Sequence, residues 1–261
     1  MNYGYCPLSV VPGRGEPSDK SEMVTQLLFG ESFSIIDEVS NWYNVQIKHD
    51  GYECWVDKKQ VLLSNDMDKN EGSDAVLVDL LGMAISESDK DAIPLVMGSI
   101  LPNYDNGRFQ LGDKKYVVSG NVEQPGDPNP EWVRKSSLKL LNIPYLWGGR
   151  SAFGIDCSGL TQLIYRICGV SLPRDSYQQA NCGKKVDLFE EALDGDLAFF
   201  EKEGRITHVG IILSGDEAGV SEKQIVHASG KVRIDSIDDQ GIYDVENDKY
   251  THQLTQVRMV F

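Results

Sequence analysis

The chain has 261 residues, enough for two or three small domains, each with its own modest core. Its 40 acidic against 25 basic residues leave a formal charge of −15, which argues against nucleic acid or an anionic membrane surface as a partner. No apolar run is long enough to span a bilayer, and five cysteines without disulfide-like spacing point to a reducing compartment.

The N-terminal part reads as short strands between turns: Ser32–Glu38, Trp42–Ile47 and Tyr52–Asp57, with Asp50-Gly51 as a tight hairpin turn. An acid-rich stretch from Asp66 to Asp74 separates it from a second such pattern, Pro94–Leu101, Arg108–Leu111 and Tyr116–Val122, with Asn106-Gly107 as its hairpin. Two all-β units of about 50 to 60 residues imply small barrels. Three prolines between Gln124 and Pro130 end the second unit and open a helical run over Glu131–Leu141. The expected domains are therefore residues 1–65, 66–123 and 124–261.

The segment Pro144–Gly159 carries the chemistry. Asp156 is placed to cap a helix over Ser158–Cys168, where Cys157, Leu160, Ile164 and Ile167 recur at helical spacing and Gly169 suits the C-terminus. Cys157 then lies in the first turn, where unpaired N–H groups and the dipole favour a thiolate; together with a nearby imidazolium they can make it the major form near neutrality. Backbone N–H groups at Ser158 and Gly159 can hold an oxyanion. Downstream, Ile206–Leu213 and Gln224–Ala228 read as strands joined by a polar loop, Ser214 to Lys223. Folding them together can bring His208 and His227 to one face, with His208 as general base and His227 as its orienting partner. His49, before a turn, and His252, in a polar C-terminal stretch, carry no expected role, and the other four cysteines read as structural. A Cys/His/His set can also ligate zinc, but no Cys-x-x-Cys or His-x-x-x-His pair strengthens that reading, so neither metal nor cofactor is expected. Acidic residues from Asp235 to Asp248 read as solvated, and Asp196 after Gly195 as a buried or turn-forming residue.

Five ordered motifs resemble the NlpC-type cell-wall cysteine peptidases. They are Pro144-Tyr145-x-Trp147-Gly148-Gly149, Asp156-Cys157-Ser158-Gly159-Leu160, Leu172-Pro173-Arg174-Asp175-Ser176-x-x-Gln179, Gly195-Asp196-Leu197-Ala198-Phe199-Phe200 and Thr207-His208-Val209-Gly210. The upstream units resemble bacterial SH3-like domains. The resemblance implies a multi-domain fold: two small all-β SH3-like barrels followed by an α+β papain-like (NlpC-type) cysteine peptidase domain with a Cys157, His208, His227 triad.

The string from Pro17 to Glu31 resembles family members classed as γ-D-glutamyl-L-diamino acid endopeptidases. In them the first barrel closes one end of the cleft, and a carboxylate from it binds a free α-amine. By that resemblance Glu22 is nominated for the amine, with Tyr52 as helper and Asp156 among the substrate-binding residues. The implied substrate is a small murein peptide with an L-Ala-γ-D-Glu unit. Glu22 and Asp175 would satisfy its ammonium, and Ser158, Ser176 and Arg174 its carboxylate, while Tyr145 assists the oxyanion. For Arg174 the rival reading is a local ion pair. Competing functions are a broader peptidoglycan endopeptidase with wall-binding barrels and a non-catalytic murein-peptide binder. The diamino acid is left open between meso-diaminopimelate and lysine. Met1 to Gly15 has no basic start and no apolar run of signal-peptide length, so the expected location is the cytoplasm, and the acidic charge favours a monomer.

Overall fold

The protein was analysed as a computed structural model that describes residues 3–64, 73–126, 129–214 and 223–261. Residues 66–72 of the expected acidic stretch and 215–222 of the expected loop lie outside the described residues. The chain divides into two compact units, Met1–Gly126 with Trp147–Gly154, and Asp127–Leu146 with Ile155–Phe261.

The first unit opens with β1 (Tyr3–Tyr5), β2 (Val10–Arg14), β3 (Met23–Leu28), β4 (Ser32–Val39), β5 (Trp42–Ile47), β6 (Glu53–Asp57) and β7 (Leu62–Ser64). They form one sheet in the order β3-β2-β6-β5-β4-β1-β7. Alternation drives it: Val45 and Ile47 of β5 and Cys54 and Val56 of β6 point inward onto Val11, Leu27 and Phe33, while Gln46 and Glu53 face water. β6 starts one residue later than expected because the Tyr52 N–H donates to the Asp50 carboxylate at 2.9 Å, ending the turn.

The unit continues with β8 (Ala75–Leu77), β9 (Leu81–Ser86), β10 (Ala92–Val96), β11 (Ile100–Leu101), β12 (Arg108–Leu111), β13 (Lys114–Ser119) and β14 (Val122–Glu123). They make two sheets, β10-β9-β13-β12 and β11-β8-β14. The strand expected over Pro94–Leu101 is split by a turn at Gly98 (φ +88°), and the one over Tyr116–Val122 by Gly120 (φ +131°). The first part keeps the core just described, whereas the core of the second draws in two residues of the first. Tyr5 and Phe29 pack with Leu77, Leu95, Phe109 and Tyr116, and Phe29 meets the rings of Phe109 and Tyr116 edge-on at 5.8 and 6.1 Å.

The Trp147–Gly154 segment is held in this unit by a buried ion pair. Arg150 bonds Glu31 at 3.0 and 3.2 Å and the Gln26 carbonyl at 2.7 Å. Gly148 (φ +74°) lies so close that a Cβ there would be 2.2 Å from the Met23 carbonyl oxygen. His49, expected to be a plain turn neighbour, accepts from the Arg150 guanidinium at 3.2 Å and belongs to this buried group.

The second unit carries α1 (Pro130–Lys139), capped by the Asn129 side chain accepting from the Trp132 N–H. After β15 (Arg150–Ser151) in the first unit and β16 (Gly154–Ile155) at the boundary, the second unit resumes with α2 (Cys157–Ile167) and the single-turn α3 (Ser176–Gln179). There follow β17 (Lys184–Val186), β18 (Leu197–Lys202), β19 (Arg205–Leu213), β20 (Gln224–Ser229), β21 (Lys231–Ile237), β22 (Gly241–Asp244) and β23 (Lys249–Met259). Their order is β17-β23-β18-β19-β20-β21-β22, and a further β22–β23 pairing returns the sheet on itself. Helix α2, apolar on most sides, packs on β19 and β20.

Candidate active site

Asp156, in extended backbone before α2, accepts the Gly159 N–H at 2.7 Å and so fixes the helix start that presents Cys157. The Arg174 guanidinium grips the same carboxylate at 2.6 and 3.0 Å and donates to the Ser158 hydroxyl at 2.9 Å. Gln179 adds a second brace, donating to the Ser158 carbonyl at 3.0 Å and the Pro173 carbonyl at 2.8 Å, while Thr161 donates to its amide oxygen at 2.7 Å. The sequence reading gave Arg174, Asp156 and Ser158 to the substrate. In the structure their polar groups bond one another, because an arginine buried to 1% exposure needs a full set of acceptors.

Cys157 is 6% exposed at the start of α2, the helix that packs on the strands of His208 and His227. Burial pushes the thiol up to about 12, with Asp156 adding to the rise, against the opposing pull of backbone at Val209 and Ser158 and of Arg174. Desolvation outweighs the helix terminus, so the rise runs against the thiolate expected at neutrality. His208 is held well below its ordinary value by burial, then by His227 and His252, and so rests as a neutral base.

Strand register assembles the imidazoles. Gly210 of β19 faces His227 of β20, which faces Arg233 of β21. The two-residue period then puts His208, His227, Arg233 and Asp235 on one face. His208 Nε2 lies 2.8 Å from His227 Nδ1, and His227 Nε2 lies 2.7 Å from the Asp235 carboxylate. Arg233 donates to the other Asp235 oxygen at 2.6 Å and lies 3.6 Å from Asp244. Gly210 makes room, since a Cβ there would fall 3.0 Å from the His227 Cβ.

Two expectations are corrected on this face. Asp235 is not a solvated acid but the buried partner of His227, and Asp244 of the same stretch is also buried. His252 is not a bystander: its ring stacks on His208 with centroids 4.3 Å apart, and burial pulls its pKa to about 4. Asp196 is buried and accepts the Leu193 N–H at 2.8 Å, closing the turn before β18.

The remaining nominated residues are distributed over both units. The Tyr145 N–H bonds the Gly230 carbonyl at 3.0 Å, and its phenol is pushed up to about 12 by burial, then by Cys157 and Asp156. Asp175 and Ser176 are half-buried at the start of α3, where the Asp175 N–H meets the Gln178 side chain. In the first unit, Glu22 is exposed and accepts from the Trp147 indole, and Tyr52 is half-buried beside the Asp50-Gly51 turn. Among the described residues, no cluster of three or more His, Cys, Asp or Glu side chains is arranged to hold a metal ion, and no helix is long and apolar enough to cross a membrane.

A helix-borne thiol on α2, packed against the strands that carry a histidine pair, is the arrangement of a cysteine nucleophile. The NlpC/P60 family profile matches residues 142–257, and the bacterial dipeptidyl-peptidase SH3 domain profile matches residues 13–61. The γ-D-glutamyl-L-lysine dipeptidyl-peptidase of Bacillus subtilis is 30% identical over 210 residues, 73% of this chain and 69% of that protein. The chain belongs to the NlpC/P60 family. It is a cysteine peptidase of that family with an SH3-like domain ahead of the NlpC/P60 domain. Dipeptidyl-peptidase 6 of Lysinibacillus sphaericus is 29% identical over 252 residues, 86% of this chain and 88% of that protein. An NlpC/P60 family protein from Bacillus cereus shares the fold with a TM-score of 0.81 at 20% identity, covering 99% of both chains. An NlpC/P60 endopeptidase from Photobacterium damselae gives 0.74 at 16% identity, covering 98% of this chain and 70% of that one.

Proposed function

We propose that this NlpC/P60 peptidase hydrolyses the γ-D-glutamyl amide of short murein peptides with a free N-terminal L-Ala, releasing L-Ala-γ-D-Glu during peptidoglycan turnover. The observation that carries the chemistry is the buried Cys157 thiol at the start of α2, the helix that packs on the strands holding the hydrogen-bonded pair His208–His227. The names of the Bacillus subtilis and Lysinibacillus sphaericus relatives support the bond and the dipeptide product.

Burial raises the thiol and lowers His208, so both rest on the side of the uncharged pair from which His208 takes the proton. The Cys157 sulfur adds to the γ-carbonyl carbon as His208 takes the thiol proton. The Cys157 and Ser158 N–H groups hold the oxyanion, that of Gly159 being taken by Asp156, and the Tyr145 phenol, protonated at neutrality, donates a further hydrogen bond. The His208 imidazolium protonates the leaving amine. Water, deprotonated by His208, then cleaves the thioester.

Glu22 and Asp175, with Tyr52 assisting, are the proposed partners of the ammonium, and Ser176 of the α-carboxylate. Arg174 and Asp156 act by holding the helix start. The residues from Ala75 to Glu123 are proposed as a second SH3-like barrel built onto the first through Phe29. All five cysteines are free, which suits a cytoplasmic setting, and a monomer acting on small peptides fits the chain's charge.

The test is digestion of L-Ala-γ-D-Glu-L-Lys, its meso-diaminopimelate counterpart and their N-acetylated forms, read by mass spectrometry. A preference of at least about 100-fold for the free amine, lost in Glu22→Gln, is expected because a site built to bind a charged group rejects the blocked analogue. Equal cleavage of blocked peptide or polymer would make the protein a broader wall endopeptidase.

A further inference from the structure

We propose that Asp235, anchored by Arg233, is a positioning residue that sets the proton arrangement of the histidine pair and so leaves a ring nitrogen of His208 free to take the thiol proton. The inference rests on reading Cys157, His208 and His227 as the catalytic set, and adds the group beyond them. It begins with bonding capacity. Arg233 has only donors, and it fills Asp235 Oδ1 at 2.6 Å. The other oxygen, Oδ2, lies 2.7 Å from His227 Nε2. Burial works to raise the Asp235 carboxyl, but hydrogen bonds from His227 and Arg233 outweigh it and hold it below the ordinary carboxylate range. An ionised carboxylate can only accept, so the proton in this bond sits on His227 Nε2.

The rest follows along the chain of rings. A neutral His227 protonated at Nε2 has an unprotonated Nδ1, which must accept from its neighbour. That neighbour is His208 Nε2 at 2.8 Å, so His208 carries its proton on Nε2. Its Nδ1 is left with the lone pair that a general base needs. When His208 takes the thiol proton, the positive ring is stabilised through His227 by the Asp235 charge. Asp235 touches neither thiol nor substrate in this scheme.

Asp235→Asn tests the inference because its effect is directional. Arg233 can only donate, so the amide oxygen of the asparagine must face it and the NH2 must face His227. The NH2 donates to His227 Nε2, moving that ring's proton to Nδ1. His227 then donates to His208 Nε2, and the His208 proton is driven onto Nδ1, where the base was. A loss in kcat of about 10³–10⁴-fold with little change in KM is expected from the wrong tautomer. Asp235→Glu should recover part of the loss.

The readout that a merely structural role would not move is the 15N shift of the ring nitrogens, measured on the full chain without substrate. In the parent protein His208 should be protonated at Nε2, and in folded Asp235→Asn at Nδ1. A folded Asp235→Asn protein that keeps kcat within about threefold, or keeps the parent tautomer, overturns the inference. A parent protein that cleaves no peptide would instead overturn the catalytic reading, and the ring shifts would still decide the role of Asp235.

Discussion

Replacing Arg174 with methionine should destabilise the catalytic unit by about 3–5 kcal/mol, the cost of leaving a buried charge without its partner. The structure sets that scale. The side chains of Arg174 and Asp156 are 1% and 9% exposed, and the pair meets at 2.6 and 3.0 Å. An exposed ion pair would be worth only about 0–1 kcal/mol. Methionine fills much of the arginine's volume but leaves the Asp156 carboxylate desolvated and without the two guanidinium bonds. Against a total stability of about 5–15 kcal/mol the loss is large, and at about 2–4 °C per kcal/mol it lowers the melting temperature by roughly 6–20 °C. The assay is urea unfolding followed by circular dichroism, with Asp156→Asn added as a second variant. Asparagine removes the stranded charge while keeping a capping oxygen for Gly159, so the double variant should recover at least about 1 kcal/mol. A single variant within about 1 kcal/mol of the parent, or a double variant less stable than the single, would refute the reasoning.

Two further outcomes follow from burial. Phe29→Ala should cost about 3–5 kcal/mol and weaken both β parts of the first unit together, because Phe29 belongs to a core drawn from both; loss confined to residues 3–64 in hydrogen exchange would contradict a shared core. His208 and His252 are both held below the ordinary histidine value, His252 at about 4, so the unfolded chain binds protons more readily than the folded one. Their contribution is complete above about pH 6.5 and declines as pH falls below it, while the low carboxyls Asp235 and Asp238 matter only below about pH 4. The urea midpoint should therefore be lower at pH 5 than at pH 7.5, and an equal or higher midpoint at pH 5 would count against the buried neutral rings.

What the sequence made legible was local. Asp156, the spacing of Leu160 and Ile164, and Gly169 mark α2 without any knowledge of the rest of the chain, and they put Cys157 at its start. Alternation on β19 and β20 brought His208 and His227 to the same face. Asp235 and His252 were not legible, because what buries them is register across β18 to β23, which no single strand encodes. An acidic run reads as solvated whether or not one of its members faces inward. The rise that runs against the expected thiolate was hidden for a related reason: the helix terminus is a local feature, whereas the desolvation that outweighs it comes from elements distant in sequence. The same holds for Phe29, whose partners Phe109 and Tyr116 lie some 80 residues further along the chain.

The most direct test of the central claim is to trap the covalent intermediate. The protein is mixed with excess L-Ala-γ-D-Glu-L-Lys, quenched in acid within the first turnover, and its mass and tryptic fragments are measured. A gain equal to the L-Ala-γ-D-Glu acyl group is expected on the fragment containing Cys157, and neither adduct nor product with a folded Cys157→Ala protein. Turnover that persists in Cys157→Ala, or an adduct on any other residue, would contradict it.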